Sequence, residues 1–412
     1  MTPAGADDAL LRSVAQAFPA DAGHVAVAVS GGGDSVALLH LLARAAPERG
    51  LTLRAVTVDH RLRPESATEA AFVAGVCARL GLAHTVLVWD HGALTGNLME
   101  QARNARYRLI ADWARAQGVQ VVALGHTADD QAEGFLMALT RAAGLDGLSG
   151  MAPLHHREGV LWVRPLLAHS RAELRDWLIR QNKPWVEDPT NADPRYLRVQ
   201  ARAALAGLGD MGLTAPTIAR SVAMLARARS VLVADLAGFA IAHVREHAGA
   251  LTVDRAAFAA LHEELQRRLL AAAVRWIGGA PHPARRGGQE QALSAVQAGR
   301  GATLGGVRFR VGPRTIRIAR EPRAVGGPVT LGQMWDGRWR VEGTGEAEVR
   351  ALGASGLAQI PGWRSCGVPR DALVVSPGIW DGPRLIAAPL ARFGTGYSAM
   401  ISRSFGSFLI SH

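Results

Sequence analysis

The sequence has few cysteines and no long hydrophobic run. Its two cysteines, Cys77 and Cys366, lie far apart, which argues against a disulfide framework, a cysteine-rich zinc site or an iron–sulfur cluster built from this chain alone. The longest apolar candidate, residues 231–244, contains an aspartate and is shorter than the roughly 18 residues that cross a bilayer. The N-terminal residues carry two aspartates and no basic segment before an apolar core. We therefore expect a cytoplasmic protein without membrane contact.

Lysine is rarer still, because Lys183 is the only one in the chain. A Walker A loop needs a lysine followed by Ser or Thr, whereas Lys183 is followed by Pro184, so this class of ATP site is excluded. Mechanisms that depend on a kinase-type or Schiff-base lysine are disfavoured for the same reason.

Arginine supplies almost all of the positive charge. The formal net charge is +11, and residues 301–412 contribute +7 of it through 14 arginines against 7 acidic residues. A basic segment of this kind favours a polyanionic partner such as nucleic acid, because each neutralised phosphate releases counterions. A solvated surface, or the codon bias of a GC-rich genome, would also explain the arginines.

Strand-like and helix-like patterns alternate in the first half of the chain. Short apolar runs predict strands at 25–29, 53–58, 84–88, 119–124 and 162–166, and amphipathic patterns predict helices over 67–80, 97–117 and 171–181. This alternation predicts an α/β fold with a parallel sheet and helices on both faces.

The later residues follow other patterns. We predict helices over 215–239 and 253–277, a linker at 278–288, and strands within 302–318. Beyond residue 325 the chain is rich in glycine, proline and tryptophan, with short strand candidates. These patterns predict three domains: an α/β catalytic domain over 1–208, a helical domain over 209–300 and a small basic α+β domain over 301–412.

A glycine-rich loop between the first strand and the next helix is the strongest chemical signal. The loop consists of Ser30, Gly31, Gly32, Gly33, Asp34 and Ser35. Glycines let successive backbone N–H groups point at an anion, and the following helix adds the positive end of its dipole. Because a carboxylate does not favour a bare phosphate, Asp34 is expected to meet a metal ion or a cationic group.

Two more polar clusters follow predicted strands. Asp59 and His60 come after the strand at 53–58, and His126, Asp129 and Asp130 come after the strand at 119–124. The carboxyl ends of parallel strands are where ligands bind in such sheets. Adjacent carboxylates facing a triphosphate would hold Mg²⁺ or a substrate ammonium. A solvated acidic turn, with Asp129 as a helix cap, is the alternative.

The helix over 97–117 places Arg103, Arg106, Tyr107 and Ile110 on one face. Two guanidinium groups beside an aromatic ring can bind phosphates and stack a base. Core packing of Tyr107 is an equally good interpretation, and Asn97 with Glu100 three residues later also fits a helix cap. The residues Trp162, Trp177 and Trp185 fit packing better than stacking.

Several segments in order along the chain resemble one enzyme family. The SGGGDS loop is similar to the loop of the PP-loop ATP pyrophosphatases. This superfamily includes small-molecule ligases, tRNA thiolases and tRNA(Ile)-lysidine synthases. Further segments resemble the tRNA(Ile)-lysidine synthases in particular: VDHRLR at 58–63, NLMEQARNARY at 97–107, LGHTADDQAE at 124–133, GLDGLSGM at 144–151, RPLL at 164–167 and WVEDPTNAD at 185–193. The sequence departs from the family pattern at Arg61, Gly134 and Val199.

This resemblance implies the reaction and the roles of individual residues. ATP would adenylate the C2 oxygen of the wobble cytidine of a CAU-anticodon tRNA(Ile), and the ε-amine of free L-lysine would then attack C2 and displace AMP. The implied catalytic residues are Asp34, Arg106, His126 and Asp130. Residues 30–35, Asp59 and His60 would bind ATP. Asp34 and Asp130 would also hold Mg²⁺, and the implied substrate contacts are Arg103, Tyr107, Asp129, Glu133, Asn191, Arg198 and Arg202.

Three other functions remain open from the sequence. A tRNA 2-thiolation enzyme of the same fold would need a cysteine route that two isolated cysteines do not favour. A small-molecule adenylating ligase would not need a basic C-terminal quarter. A catalytically silent tRNA-binding relative would fit the departures at Arg61, Gly134 and Val199. The oligomeric state is not predicted.

Overall fold

The computed structural model describes residues 3–62, 65–92, 96–187, 195–279 and 284–410. The chain forms two compact units, residues 1–229 and residues 230–412.

The first unit alternates strands and helices, as the patterns along the chain predict. Its elements are α1 (Pro3–Gln16), β1 (His24–Ala28), α2 (Gly33–Ala45), β2 (Thr52–Asp59), α3 (Ser66–Arg79), β3 (Ala83–Val88), α4 (Leu98–Ala116), β4 (Val121–Leu124), α5 (Ala128–Leu139), α6 (Leu145–Leu148), β5 (Leu154–Arg157), β6 (Val160–Val163), α7 (Arg171–Arg180), α8 (Leu197–Leu208) and the start of α9 (Ala215–His243).

The strands of the first unit form one six-stranded sheet in the order β3-β2-β1-β4-β6-β5. Strands β3, β2, β1, β4 and β6 run parallel, and β5 pairs antiparallel with β6 at one edge. The predicted α/β fold with a parallel sheet is confirmed. The sequence pattern missed β5, because two consecutive histidines interrupt the apolar run there.

Helices pack on both faces of this sheet. On one face, α2 buries its leucines against β1 and against the apolar sides of α1, α3 and α7. On the other face, α4 packs Tyr107 and Ile110 against Trp162 and the strands. Trp162 and Trp177 are both buried in the core, which agrees with their predicted packing role.

The second unit contains the end of α9, short helices and antiparallel sheets. Its further elements are β7 (Val244–His247), β8 (Ala250–Asp254), α10 (Arg255–Ala260), α11 (Glu263–Gly278), α12 (Arg286–Gln297), β9 (Ala302–Leu304), β10 (Val307–Val311), β11 (Thr315–Arg320), β12 (Val329–Thr330), β13 (Met334–Trp335), β14 (Trp339–Glu342), β15 (Glu348–Ala351), α13 (Gly353–Ala358), α14 (Arg370–Leu373), β16 (Pro377–Asp381), β17 (Arg384–Ala387), β18 (Ser398–Ile401) and α15 (Phe405–Ile410). The sheets have the orders β7-β8-β11-β10-β9, β12-β15-β16-β17 and β13-β14-β18.

The helix predicted over 253–277 is wrong at its start. Val253 lies in β8, which pairs with β7 on one side and β11 on the other. The two-residue turn of Ala248 and Gly249, with φ values of 51° and 75°, makes β7 and β8 a hairpin. An Ala-Gly turn is a weak hairpin signal, so the alanines and leucines around it suggested a helix. The predicted linker at 278–288 is also too long, since α12 begins at Arg286.

The five-stranded sheet joins strands from both sides of residue 300, through the pairing of β8 with β11. We therefore describe residues 230–412 as one unit, and the division into three domains of separate function stays a prediction. Among the described residues, no helix combines the length and the apolar character needed to cross a membrane.

Candidate active site

Three loops meet at the carboxyl edge of the parallel sheet in the first unit. Residues 29–32 follow β1, His60 follows β2, and residues 125–127 follow β4. Strand β1 pairs with β2 on one side and with β4 on the other. Strands β2 and β3 are thus added to one side of β1 and the later strands to the other, so the strand order reverses between β1 and β4. Such a switch point opens a crevice, which is the usual ligand site of an open α/β sheet.

The glycine loop, residues 30–35, has the conformation of an anion site. Gly31 has a φ of +94°, a left-handed region that favours glycine, and its carbonyl accepts a hydrogen bond from Val186 N at 2.9 Å. The Ser35 hydroxyl donates to Gly32 O at 2.9 Å and accepts from Ser30 N at 3.2 Å, which ties the two ends of the loop together.

The amides at the start of α2 remain available to a ligand. The N–H groups of Gly32, Gly33 and Asp34 donate to no residue that the structure describes, and Gly32 provides no side-chain cap. Four amides at a helix start have no partner within the helix, and together with the helix dipole they attract an anion. The loop therefore fits a phosphate or pyrophosphate group.

The loop after β4 approaches the glycine loop too closely for any side chain. A Cβ atom placed on Gly125 would lie 3.0 Å from both Asp34 O and Ser35 Cα. Because both neighbours are backbone atoms, they cannot rotate away. Gly125 thus sets the distance between the β4 loop and the start of α2.

A group of four carboxylates, which we call the acidic cluster, lies beside the glycine loop. Its members are Asp34, Asp129, Asp130 and Glu133. Three arginines of α7 and α8 pair with it, and they are Arg171, Arg198 and Arg202. The side chains of Asp34, Asp130 and Glu133 are only 20%, 10% and 1% exposed, so the acidic cluster is part of an ionic network rather than a solvated turn.

Glu133 is the most deeply buried carboxylate of the cluster, with no exposed surface. Its oxygens accept from Arg198 Nε at 2.5 Å, from Arg202 Nε at 2.6 Å and from Arg171 Nη1 at 3.4 Å. Val199 departs from the family pattern, but Arg198 and Arg202 on either side of it match that pattern. The contacts of both arginines with Glu133 are therefore present despite the departure.

Asp130 has both oxygens engaged. Oδ2 accepts from the backbone N and the hydroxyl of Thr127 at 2.8 and 3.0 Å, in a capping box that begins α5. Oδ1 accepts from Arg198 Nη2 at 2.5 Å. The side chain of Asp129 does not cap α5, and its Oδ2 instead accepts from Arg171 N at 2.7 Å.

Asp34 is engaged through one oxygen. Oδ2 accepts from Arg171 Nε at 3.1 Å, whereas Oδ1 is buried and has no hydrogen-bond partner. Burial raises the pKa of this carboxyl, and the adjacent Arg171 opposes that shift. A buried carboxylate oxygen without a partner is costly unless a ligand supplies a donor or a cation.

These contacts test the predicted Mg²⁺ ligands separately. The free Oδ1 of Asp34 fits a metal ligand, whereas both oxygens of Asp130 are already in use. No group of three or more histidine, cysteine, aspartate or glutamate side chains within the described ranges is arranged to hold a metal. Mg²⁺ commonly binds through one or two carboxylates together with the phosphates of a nucleotide, which is the arrangement that Asp34 allows.

A basic cluster, Arg103, Arg106 and Arg164, lies near His60 and His126. Arg106 is half-buried and forms no ion pair with a described residue. Burial lowers its pKa, and the nearby charges of Arg103 and Arg198 lower it further. Burial lowers the pKa of Arg164 as well. A half-buried guanidinium without a counter-ion fits an anionic ligand.

The two histidines near this cluster are neutral at physiological pH. Burial, followed by the charge of Arg164, lowers the pKa of His126 to about 2. Its Nδ1 accepts from Arg164 Nε at 3.2 Å, so the proton of the neutral ring is on Nε2. Burial and the charge of Arg106 lower the pKa of His60 to about 4. Both rings therefore fit hydrogen bonding to a ligand better than acid–base catalysis.

The departure from the family pattern at Arg61 has a structural explanation. Arg61 has a φ of 51°, in the left-handed region where glycine is favoured. Its N–H donates to Asp59 Oδ1 at 2.9 Å, which supports this conformation. A second departure, Gly134, lies in α5, and no atom outside the backbone of its own helix lies within 4 Å of the position that a Cβ would take.

Tyr107 lies in the core, only 2% exposed. Its ring contacts Trp162 at 4.6 Å between centroids, with Arg157 over the ring at 4.3 Å. This position supports the packing interpretation over base stacking. The Asn97 side chain accepts from Glu100 N at 3.3 Å, so this pair forms the predicted helix cap. The predicted contact Asn191 lies outside the described residues.

Sequence reasoning assigned no role to Gly125, Arg164 or Arg171. Gly125 and Arg164 stand within segments that resemble the family, but neither position alone indicates its contacts. Arg171 carried a signal of its own, because a cation in the first turn of a helix opposes the helix dipole unless a carboxylate is near.

Comparison with known proteins identifies the relatives of this chain. Residues 7–207 match the family model described as the PP-loop domain. A curated relative from Ruegeria pomeroyi, named tRNA(Ile)-lysidine synthase, is 46% identical over 99% of both chains. A relative of the same name from Methylobacterium nodulans is 39% identical over 74% of this chain and 92% of its own.

Similarity to solved structures is lower. The U34-tRNA thiolase NcsA from Methanococcus maripaludis, solved with its [4Fe-4S] cluster, has a TM-score of 0.46 and 18% identity. It covers 55% of this chain and 80% of its own. Similarity at this level supports no functional argument.

Proposed function

The chain belongs to the tRNA(Ile)-lysidine synthase family, and on that premise we propose the reaction that it catalyses. The C2 oxygen of the wobble cytidine of a CAU-anticodon tRNA(Ile) attacks the α-phosphate of ATP, which forms an adenylate on that oxygen and releases pyrophosphate. The ε-amine of free L-lysine then attacks C2 and displaces AMP, which leaves lysidine in the tRNA.

The glycine loop would bind the leaving pyrophosphate. Its unpartnered amides at the start of α2 are donors already in position for the charge that develops on the β- and γ-phosphates. Asp34 at the edge of the loop would hold Mg²⁺ through Oδ1. Bound there, Mg²⁺ would neutralise phosphate charge.

The basic cluster would bind the nucleotide beyond the pyrophosphate. Arg106 has no counter-ion among the described residues, so it can stabilise the α-phosphate without first breaking an ion pair. His60 and His126, both neutral, would donate or accept hydrogen bonds at the same phosphate or its ribose.

The acidic cluster would take the lysine substrate. Asp130 and Glu133 bind guanidinium groups in the structure, and a substrate ammonium carries the same charge. Lysine must therefore compete with Arg198 or Arg202 for these oxygens. The amine must lose a proton before it attacks C2. Asp34 and Asp130 are the two predicted acceptors, and since Asp34 is assigned to Mg²⁺ and Arg171, Asp130 is the proposed acceptor once Arg198 has been displaced from its Oδ1.

Residues of the second unit would contact the tRNA. Several arginines there are exposed and form no ion pair with a described residue, and they are Arg314, Arg323, Arg340, Arg364, Arg370, Arg384 and Arg392. Arginines of this kind suit phosphate contacts, and their number predicts strongly salt-dependent binding.

One observation carries this proposal: the free amides of the glycine loop lie at the switch point of the sheet, beside a carboxylate with a free oxygen. The test incubates the full chain with ATP, radioactive L-lysine and CAU-anticodon tRNA(Ile). A tRNA(Ile) with a GAU anticodon, which lacks the wobble cytidine, is the matched control.

We expect label only in the CAU tRNA, together with one AMP and one pyrophosphate per lysine. Transfer of labelled sulfur instead of lysine would establish a thiolation enzyme. Exchange of pyrophosphate into ATP without RNA would indicate a small-molecule ligase, and tRNA binding without AMP release would indicate a silent relative.

A further inference from the structure

Arg171, at the first position of α7, contacts every carboxylate of the acidic cluster. Its Nε donates to Asp34 Oδ2 at 3.1 Å, and its Nη1 to Glu133 Oε1 at 3.4 Å. Its Nη2 lies 3.8 Å from Asp130 Oδ1, and its backbone N donates to Asp129 Oδ2 at 2.7 Å. Its side chain is 20% exposed, so these pairs are only weakly screened by solvent.

The backbone of Arg171 is held at a fixed distance from α5. Ala128 N, at the start of α5, donates to His169 O at 2.8 Å, while Arg171 N donates to the Asp129 side chain. The starts of α5 and α7 are thus joined in both directions. Ser170 and Glu173 form a capping box that fixes the first turn of α7.

The direction of the charge shows that this arrangement has an electrostatic cost. A cation in the first turn of a helix is repelled by the positive end of the helix dipole. The acidic residue that ordinarily occupies such a position is present two residues later, as Glu173. Arg171 is stable there because it faces carboxylates, and its nearest one belongs to the glycine loop.

Asp34 depends on Arg171 in particular. Within the described residues, no other basic side chain forms an ion pair or hydrogen bond with this carboxylate. Arg198 pairs with Asp130 and Glu133, and Arg202 pairs with Glu133. The single contact engages Oδ2 and leaves Oδ1 without a partner.

We propose that Arg171 is a positioning residue for the first half-reaction: it holds Asp34 by Oδ2 and so keeps Oδ1 directed to the ATP complex in the glycine loop. This inference rests on the proposed function. Without Arg171, the Asp34 side chain could rotate about its Cα–Cβ bond, and its free oxygen would lose a fixed position relative to the amides of the loop. A displacement of about 1 Å at a reacting group can slow a reaction about 100-fold.

The experiment uses the full chain and separates chemistry from binding and stability. We would measure single-turnover release of pyrophosphate from saturating ATP with CAU-anticodon tRNA(Ile) and no lysine. The dissociation constant of ATP without tRNA and the thermal unfolding midpoint would be measured for the same variants. The variants are R171Q, R171K and the control R175Q, which removes a more exposed arginine of the same helix that pairs with Glu187.

We expect R171Q to release pyrophosphate about 10- to 100-fold more slowly, with the ATP dissociation constant changed by less than about 3-fold. R171K should lie between wild type and R171Q, because an ammonium restores the charge without the planar fork of the guanidinium. R175Q should match wild type within about 2-fold, since exposed ion pairs contribute little.

A merely structural role would give a different pattern. R171Q that folds and releases pyrophosphate within about 3-fold of wild type would overturn the inference. So would a loss confined to ATP affinity, or equal rates for R171K and R171Q. Should R171Q not fold, R171K decides alone, and a wild-type rate in that variant counts against positioning.

Failure of the proposed function is distinguishable from failure of this inference. A wild-type chain that releases no pyrophosphate in the presence of CAU tRNA contradicts the proposed function itself. Normal wild-type release with an unaffected R171Q contradicts only the role of Arg171.

Discussion

Gly125→Ala tests whether the distance between the β4 loop and the glycine loop controls catalysis. The added Cβ would lie 3.0 Å from Asp34 O and Ser35 Cα, and 3.1 Å from Asp34 C. Carbon atoms pack best at about 3.5–4.0 Å, so the two loops must separate by roughly 0.5–1 Å. Because the atoms involved are backbone, the displacement moves the amides of the glycine loop and the carboxylate of Asp34 together.

The expected magnitudes follow from this displacement. Overpacking of this kind costs about 1–3 kcal/mol of unfolding free energy, which lowers the thermal midpoint by several degrees. Misplacement of the pyrophosphate site by up to about 1 Å should slow pyrophosphate release about 100-fold. The loss of rate should exceed what the loss of stability explains, since most molecules remain folded at 25 °C.

Gly134→Ala is the matched control, because it adds the same methyl group in α5 where no atom outside the helix's own backbone lies within 4 Å. An alanine within a helix is favoured over glycine by up to about 1 kcal/mol, so this variant should be at least as stable as wild type. Pyrophosphate release by single turnover and thermal unfolding would be compared for both variants. Wild-type release from a folded Gly125→Ala protein would refute the reasoning.

Four further experiments test separate parts of the site and of the second unit. Asp34→Asn should abolish ATP-dependent lysine incorporation, losing at least about 10³-fold in rate, and near-normal incorporation would contradict its role at the glycine loop. Arg106→Ala should reduce turnover about 100-fold with little change in the thermal midpoint, whereas a variant that simply unfolds would favour a core role for this side chain. Arg61→Gly should leave the unfolding free energy unchanged or raise it by up to about 1 kcal/mol, because it relieves a left-handed backbone, and clear destabilisation in chemical denaturation would show that the arginine side chain itself is needed. A triple variant of the second unit removes three exposed charges through Arg340→Gln, Arg384→Gln and Arg392→Gln. It should reduce the slope of log tRNA affinity against log salt concentration by about 0.7 for each tRNA phosphate that is no longer neutralised. An unchanged slope would mean that these side chains do not contact the tRNA. Point substitutions are preferable to deletion of residues 301–412, which would remove the strand that pairs with β8.

The parts of the fold that the sequence predicts well are set by local patterns. Apolar runs predict β1, β2 and β4. The three glycines after β1 predict a tight turn with left-handed backbone, and Gly31 has such a φ. The loops after these strands then lie together for a topological reason, without any knowledge of side-chain contacts.

The ionic network could not be predicted in this way, because its partners come from distant parts of the chain. Arg171 and Asp34 are separated by 137 positions, and no periodicity links them. The family resemblance implies that Arg198, Arg202 and Glu133 contact the substrate. It does not imply that both arginines pair with Glu133. Only packing of α5, α7 and α8 determines which cation meets which carboxylate.

The charges of this site are separated, and the separation has a chemical consequence. Arg106 has no counter-ion among the described residues, whereas Asp130 and Glu133 already pair with arginines. An anionic nucleotide can therefore enter without displacing a protein ion pair, but a substrate ammonium must replace a guanidinium. Within the acidic cluster, Asp34 has one oxygen bonded to Arg171 and one without a partner. On the proposed mechanism, ATP would therefore bind before lysine, in the order of the adenylation and displacement steps.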